Sequence, residues 1–247
     1  MIFLKMFSSK WLWTTLLVLL GALVCARLGM WQLDRLAQRR TFNAQVIKMR
    51  ALSPLDLPAK DDLTKMEWRT VHLQGIYDFE NQVAIRNQYN GNVPGYHLLT
   101  PLRFSDGEAA LVDRGWIPAE GNDAPAAWQK YDQPGEVALS GIIRLSETQP
   151  SFGGVADPTL TSDQTRLDFW VYVNLDRIAQ QIPYPILPVY IQLDPDPGRT
   201  DPPLPYQPDL DLSEGPHQSY AIQWFSFAAL LLIGYPFYLH KQETGKK

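Results

Sequence analysis

His217 is the residue in this sequence best placed to do chemistry. Tyr220, Ala221 and Trp224 follow it, and residues three, four and seven positions on share one helix face, so an imidazole, a phenol and an indole would stand together. Two readings fit that face. Tyr and Trp gather at membrane interfaces in any case, which makes the group an aromatic belt with a capping residue. Alternatively, the imidazole, the commonest axial ligand of haem iron, faces a flat apolar macrocycle. The other three histidines are plainer: His72 and His97 lie inside strand-like runs and read as structural, and His240 sits beside Lys241 at an interface. Cys25 stands alone, which excludes an intrachain disulfide, a CxxCH haem attachment and multi-cysteine zinc or iron–sulfur patterns. There is no GxSxG elbow, HExxH, P-loop or GxGxxG after a strand. The scattered carboxylates read as a solvated face rather than catalytic pairs.

The elements around His217 decide what it meets. Ser219 to Leu239 has no charged residue in 21, and Trp11 to Met30 has one in 20; a helix needs about 20 apolar residues to cross a hydrocarbon core of roughly 30 Å. Both read as spans, over 11–30 and 217–239. Lys5, Lys10 and the Val24-Cys25-Ala26 triplet also admit a cleavable signal peptide, but Arg27 and the following WQLDR fit a retained anchor whose arginine snorkels to the interface. The net charge of −4 is unevenly spread: residues 1–50 hold eight basic side chains against one acidic, 51–216 eleven against 24, and 217–247 three against one. An acidic middle argues against nucleic acid as a partner. Asp209, Asp211 and Glu214 precede the second span and Lys241, Lys246 and Lys247 follow it, so the positive-inside rule puts the C-terminus in the cytoplasm. Two spans then place residues 1–10 and 240–247 inside and the acidic middle outside. Arg27, Arg35, Arg39 and Arg40 fall on the outer side and break the rule.

Between the spans, Leu28, Trp31, Leu36, Phe42 and Ile47 keep near a helical period until Ser53-Pro54, so the first helix continues out of the membrane to about residue 49. Residues 51–193 read as an extracytoplasmic β domain. Seven runs (WRTVHLQG, QVAIRN, YHLLTPLRF, EAALVDRGW, EVALSGIIRL, FWVYVNL and VYIQL) are rich in β-branched and aromatic residues and predict a mainly antiparallel sheet or small barrel. Short helices are expected at 123–131 and at 176–182, the latter capped by Asp176. Gly75, Gly95 and Gly115 read as turn or bulge residues. Ten of the 20 prolines lie in 183–216, so 194–216 is expected to be an extended, partly polyproline II tether returning the chain to the membrane. The fold class is a membrane protein with two transmembrane α-helices flanking a mainly antiparallel β domain.

The string GIYDFENQVAIRNQYNGNVPGYHLLTPLRFSDGEAALVDRGWIP, Gly75 to Pro118, resembles the signature of the Surfeit locus protein 1 family of cytochrome c oxidase assembly factors. Three further blocks agree in order: LGMWQLDRLAQRR at Leu28–Arg40, WVYVNLD at Trp170–Asp176 and HQSYAIQWFSFA at His217–Ala228. The resemblance implies a membrane-anchored, non-enzymatic factor in the biogenesis of haem-copper oxidase. It would bind haem a, with His217 as the iron ligand, and assist insertion into subunit I. Gly215-Pro216 stands before the histidine where the family pattern has asparagine, so helix lead-in and surrounding contacts are expected to differ.

On that resemblance, Tyr220, Trp224 and Trp31 would pack on the macrocycle, and Arg35 or Arg39 would receive the haem propionates. Gln32 lies beside Trp31, at about the height of His217. Arg86, Arg114 and Trp116 would form a docking surface for the oxidase or for haem a synthase, although Trp116 also suits core packing. The alternative is a scaffold that steadies oxidase intermediates without a cofactor; a membrane-anchored hydrolase lacks a nucleophile–base pair. The short start MIFLKMFSSK lacks an Arg/Ser-rich transit peptide, which favours a bacterial plasma (inner) membrane over a mitochondrial one.

Overall fold

The computed structural model describes residues 5–149, 154–161, 166–207 and 209–244; Lys246 and Lys247, used above for orientation, lie outside them. The described residues form helices α1 (Leu12–Ala51), α2 (Leu175–Ala179) and α3 (His217–Thr244). The strands are β1 (Leu55–Leu57), β2 (Thr70–Tyr77), β3 (Val83–Asn90), β4 (Val93–Arg103), β5 (Ala109–Pro118), β6 (Glu136–Leu145), β7 (Phe169–Trp170) and β8 (Ile186–Leu193). Two compact units result, residues 1–45 with 210–247, and 46–209.

In the first unit the N-terminal part of α1 pairs with α3. Both helices are long and apolar enough to cross a bilayer. The 40 residues of α1 span about 60 Å at 1.5 Å per residue, twice a hydrocarbon core. Its buried positions Thr15, Ala22, Gly29, Leu36 and Asn43 recur every seven residues, as do Ala221, Ala228 and Tyr235 on α3. That repeat keeps one seam facing a partner helix, and small residues along it let the backbones approach; Gly29 takes the ring of Phe225 against its α-carbon. Thr15 Oγ1 meets the Tyr235 hydroxyl at 2.7 Å. Near the chain ends the Glu243 carboxylate accepts from Lys5 Nζ, Lys10 Nζ and Trp11 Nε1 at 3.1, 2.7 and 3.0 Å.

The second unit is a closed barrel of five strands in the ring β2-β6-β8-β5-β4, with β1 beside β2 and β3 and β7 extending from β4. Four of the five ring pairings are antiparallel and β5–β8 is parallel. Alternation sends Val71, Leu73 and Tyr77 of β2 inward to meet Leu102, Val112, Ile143, Val189 and Ile191. Closure rests on two residue pairs, Ile76 with Arg103 and Tyr77 with Leu102. Gly75 is therefore a closure residue rather than a turn: a Cβ there would overlap the carbonyl oxygen of Arg103.

Several expectations are corrected. The FWVYVNL run is strand only at Phe169–Trp170. Its hydrophobic residues instead form a cover, with Trp170, Val173 and Leu175, joined by Ile178 of α2, packed on Val83 of β3 and on Leu99 and Leu111 of the barrel. The α2 cap is Asn174, whose side chain accepts from the Arg177 amide at 3.1 Å, so Asp176 lies in the first turn instead. The short helix expected at 123–131 is present, as a 3₁₀ helix at Pro125–Tyr131. The proline-rich segment is more than a tether, because Leu204 exchanges backbone hydrogen bonds of 2.8 and 2.9 Å with Trp116.

Candidate functional site

His217 is the first residue of α3, and the segment leading to it is held by α1. Arg39 Nη2 donates to the carbonyls of Asp211 and Ser213 at 2.9 and 3.2 Å and lies 3.4 Å from Asp211 Oδ2. Arg40 donates through Nε and Nη2 to the two oxygens of Glu214 at 2.7 and 2.8 Å. Asn43 Nδ2 reaches the Leu212 carbonyl at 2.6 Å. The hydrogen bond from Arg40 holds the Glu214 carboxyl below its ordinary range, and the same pair raises Arg40.

The half-buried His217 ring places Nδ1 2.8 Å from Gln32 Oε1, and Gln32 is only 9% exposed. With the amide oxygen facing the ring, the contact is satisfied by an Nδ1–H donor, which would leave the lone pair on Nε2. The rest of the predicted group separates. Trp31 and Tyr220 turn outward, 47% and 45% exposed, while Ala221 is buried in the seam. Trp224 is half-buried and stands edge-on to Phe227, centroids 5.9 Å apart. Arg35 is exposed and donates to Gln38 on its own helix at 2.9 Å; Arg39 is committed to the Asp211–Ser213 segment. An imidazole that keeps its Nε2 lone pair is a metal donor suited to haem iron. The aromatic faces of Trp31 and Tyr220 and the Arg35 guanidinium are chemically suited to an apolar macrocycle with anionic side arms, so the residues present fit the group. Groups of three or more His, Cys, Asp or Glu able to hold a bare metal ion are absent among the described residues.

In the β domain, two of the three residues expected to form a docking surface are buried. Arg114 is 3% exposed and Trp116 7%. The Arg114 guanidinium donates to Gln82 Oε1 at 3.0 Å and to the Tyr131 carbonyl, with its carbon about 5 Å from the ring centres of Tyr77 and Phe79 (5.0 and 5.1 Å). Gln82 also accepts from Thr100 Oγ1 at 2.6 Å. Burial lowers the Arg114 pKa despite nearby Tyr77 and Asp132, and it raises that of Asp132. Of the three predicted residues only Arg86 keeps a partly exposed side chain, 43% accessible with Nη2 3.8 Å from Asp157 Oδ1. His97 is satisfied by the buried Asp113 carboxylate, Nδ1 to Oδ2 2.9 Å. Burial opposes its charge, but the charge and hydrogen bond of Asp113 prevail and raise its pKa.

Sequence reasoning placed Gln32 near His217 without giving it a role. The available signal was an amide on the helix that continues from the first apolar run, at about the height of His217. Gln82 carried no signal, because its partners come from β4, β5 and the 3₁₀ segment.

A sequence model of the SURF1 family matches residues 19–229. The chain is 30% identical over 244 residues to Surfeit locus protein 1 of Xenopus tropicalis, covering 89% of this chain and 72% of that protein. It is 26% identical to a SURF1-like protein of Rickettsia bellii, covering 91% and 90%. An uncharacterized SURF1-like protein of Mycobacterium bovis is 28% identical, covering 96% and 86%.

Proposed function

This chain belongs to the SURF1 family, and from that premise we propose that it is an assembly factor for cytochrome c oxidase that holds haem a as cargo and assists its insertion into subunit I. The observation that carries the reading is the His217 imidazole at the start of α3, with Nδ1 committed to Gln32 and Nε2 without a partner among the described residues. In this reading His217 supplies the iron ligand, the outward Trp31 and Tyr220 rings with Trp224 border the macrocycle, and Arg35 is the cation for its propionates. Arg39 orders the segment that presents His217. The macrocycle supplies no catalysis here, and the chain acts as carrier rather than enzyme.

The two apolar helices and the likeness to bacterial relatives support a bacterial inner membrane location, with both termini cytoplasmic and the barrel periplasmic. Subunit I is the recipient, and haem a synthase is the donor-side partner.

The test is to express the full chain with the haem a biosynthetic enzymes, purify it in detergent and record a reduced-minus-oxidised spectrum. Wild-type protein should carry the haem a bands and His217→Ala should lose them. A colourless wild type, in cells that demonstrably make haem a, would leave a cofactor-free scaffold as the function.

A further inference from the structure

We propose that Gln32 is a positioning residue that selects Nε2 of His217 as the ligating atom and orients the ring, an inference that rests on the haem-carrier reading. Imidazole has two nitrogens, and the hydrogen bond made by one decides which of them keeps the lone pair. Here the Nδ1 partner is an amide oxygen at 2.8 Å. That amide belongs to a residue 9% exposed on a helix whose neighbouring seam positions Gly29 and Leu36 are also buried, so water competes poorly for the contact. Arg39, Arg40 and Asn43 hold residues 211–214 from the same helix, which fixes the backbone leading into His217. Gln32 and His217 are 185 residues apart in sequence, so the ligand is set only when α1 and α3 pair. Outer partners of this kind raise ligand basicity and typically carry about 10- to 100-fold in metal affinity.

The experiment uses full-length protein in detergent, uniformly labelled with ¹⁵N-histidine, with His217 assigned by comparison with His217→Asn. At about pH 9, where an ordinary imidazole is neutral, haem-free wild type should show His217 protonated on Nδ1. Gln32→Leu should shift it toward the Nε2–H form and weaken haem a binding by about 10-fold or more. Gln32→Glu keeps an acceptor oxygen and should retain both the tautomer and the binding. An Nε2–H ring in a wild type that binds haem a overturns the inference and leaves the carrier function standing. Equal haem affinity in wild type and Gln32→Leu, or equal loss in Gln32→Leu and Gln32→Glu, overturns it as well. An Nδ1–H ring in a wild type that takes up no haem a overturns the carrier function, and the ligand role falls with it.

Discussion

Arg40 and Glu214 meet in a two-point ion pair, Nε and Nη2 of the guanidinium at 2.7 and 2.8 Å from the two carboxylate oxygens. With Arg39 on the Asp211–Ser213 segment, this pair accounts for two of the four arginines that follow the first apolar run: each is answered by an acidic residue of the same chain, 172 and 174 positions away.

Because this pair is exposed, salt screens it and its contribution to stability is small. Arg40→Glu should lower the thermal midpoint of the detergent-solubilised protein at low ionic strength through repulsion with Glu214. The deficit should shrink at about 0.5 M NaCl, where the Debye length is only a few ångström, and Arg40→Glu/Glu214→Arg should restore the midpoint. A deficit independent of salt would show that packing, not charge, is what Arg40 contributes.

Gly75→Ala tests the barrel closure. The added methyl meets the Arg103 carbonyl where only two residue pairs join β2 to β4, so β2 must shift or the closure must open. Overpacking of this kind costs about 1–3 kcal/mol, read as a lower urea midpoint with tryptophan fluorescence as the probe.

Arg114→Lys tests the burial of Arg114. Lysine brings a point charge in place of the planar fork that reaches Gln82 and Tyr131 together. Losing one charge-assisted bond inside the domain should cost about 2 kcal/mol, visible in the unfolding of purified protein without any oxidase present. An unchanged unfolding curve would restore Arg114 as a contact residue.

The His97–Asp113 pair predicts a pH dependence. His97 has a folded pKa above its ordinary value of 6.5, so the pair's stabilisation is complete below about pH 6.5 and is lost as pH rises through the raised folded value. The thermal midpoint of the wild type should therefore decline across that window, and Asp113→Asn should flatten the decline. A wild-type midpoint that rises over the same range would contradict the pairing.

Much of the fold was legible along the chain. Apolar runs of span length with one charge or none, alternation in β2, and turn residues between strands are properties of neighbouring residues, which a sequence displays directly. The FWVYVNL run shows the limit: β-branched and aromatic residues suit a strand or a buried cover equally well, and Asn174 with its cap decided for the cover. Arg114 and Trp116 show the same limit for sites, since a motif displays residue types but not which of them the fold buries.

By itself the sequence determined that the chain has two apolar runs of span length, a mainly antiparallel β domain between them, a single cysteine and hence no intrachain disulfide, and one histidine at the start of the second run. Hydropathy, periodicity and composition carry that information locally. Only the tertiary structure decided that Gln32 holds His217 by Nδ1, that Arg39 and Arg40 answer Asp211 and Glu214, that Gly75 closes the barrel, and that Arg114 is interior. Each of these joins residues that come together only after helices pair or strands close, and the pairing is set by steric fit and hydrogen-bond completion across the whole chain.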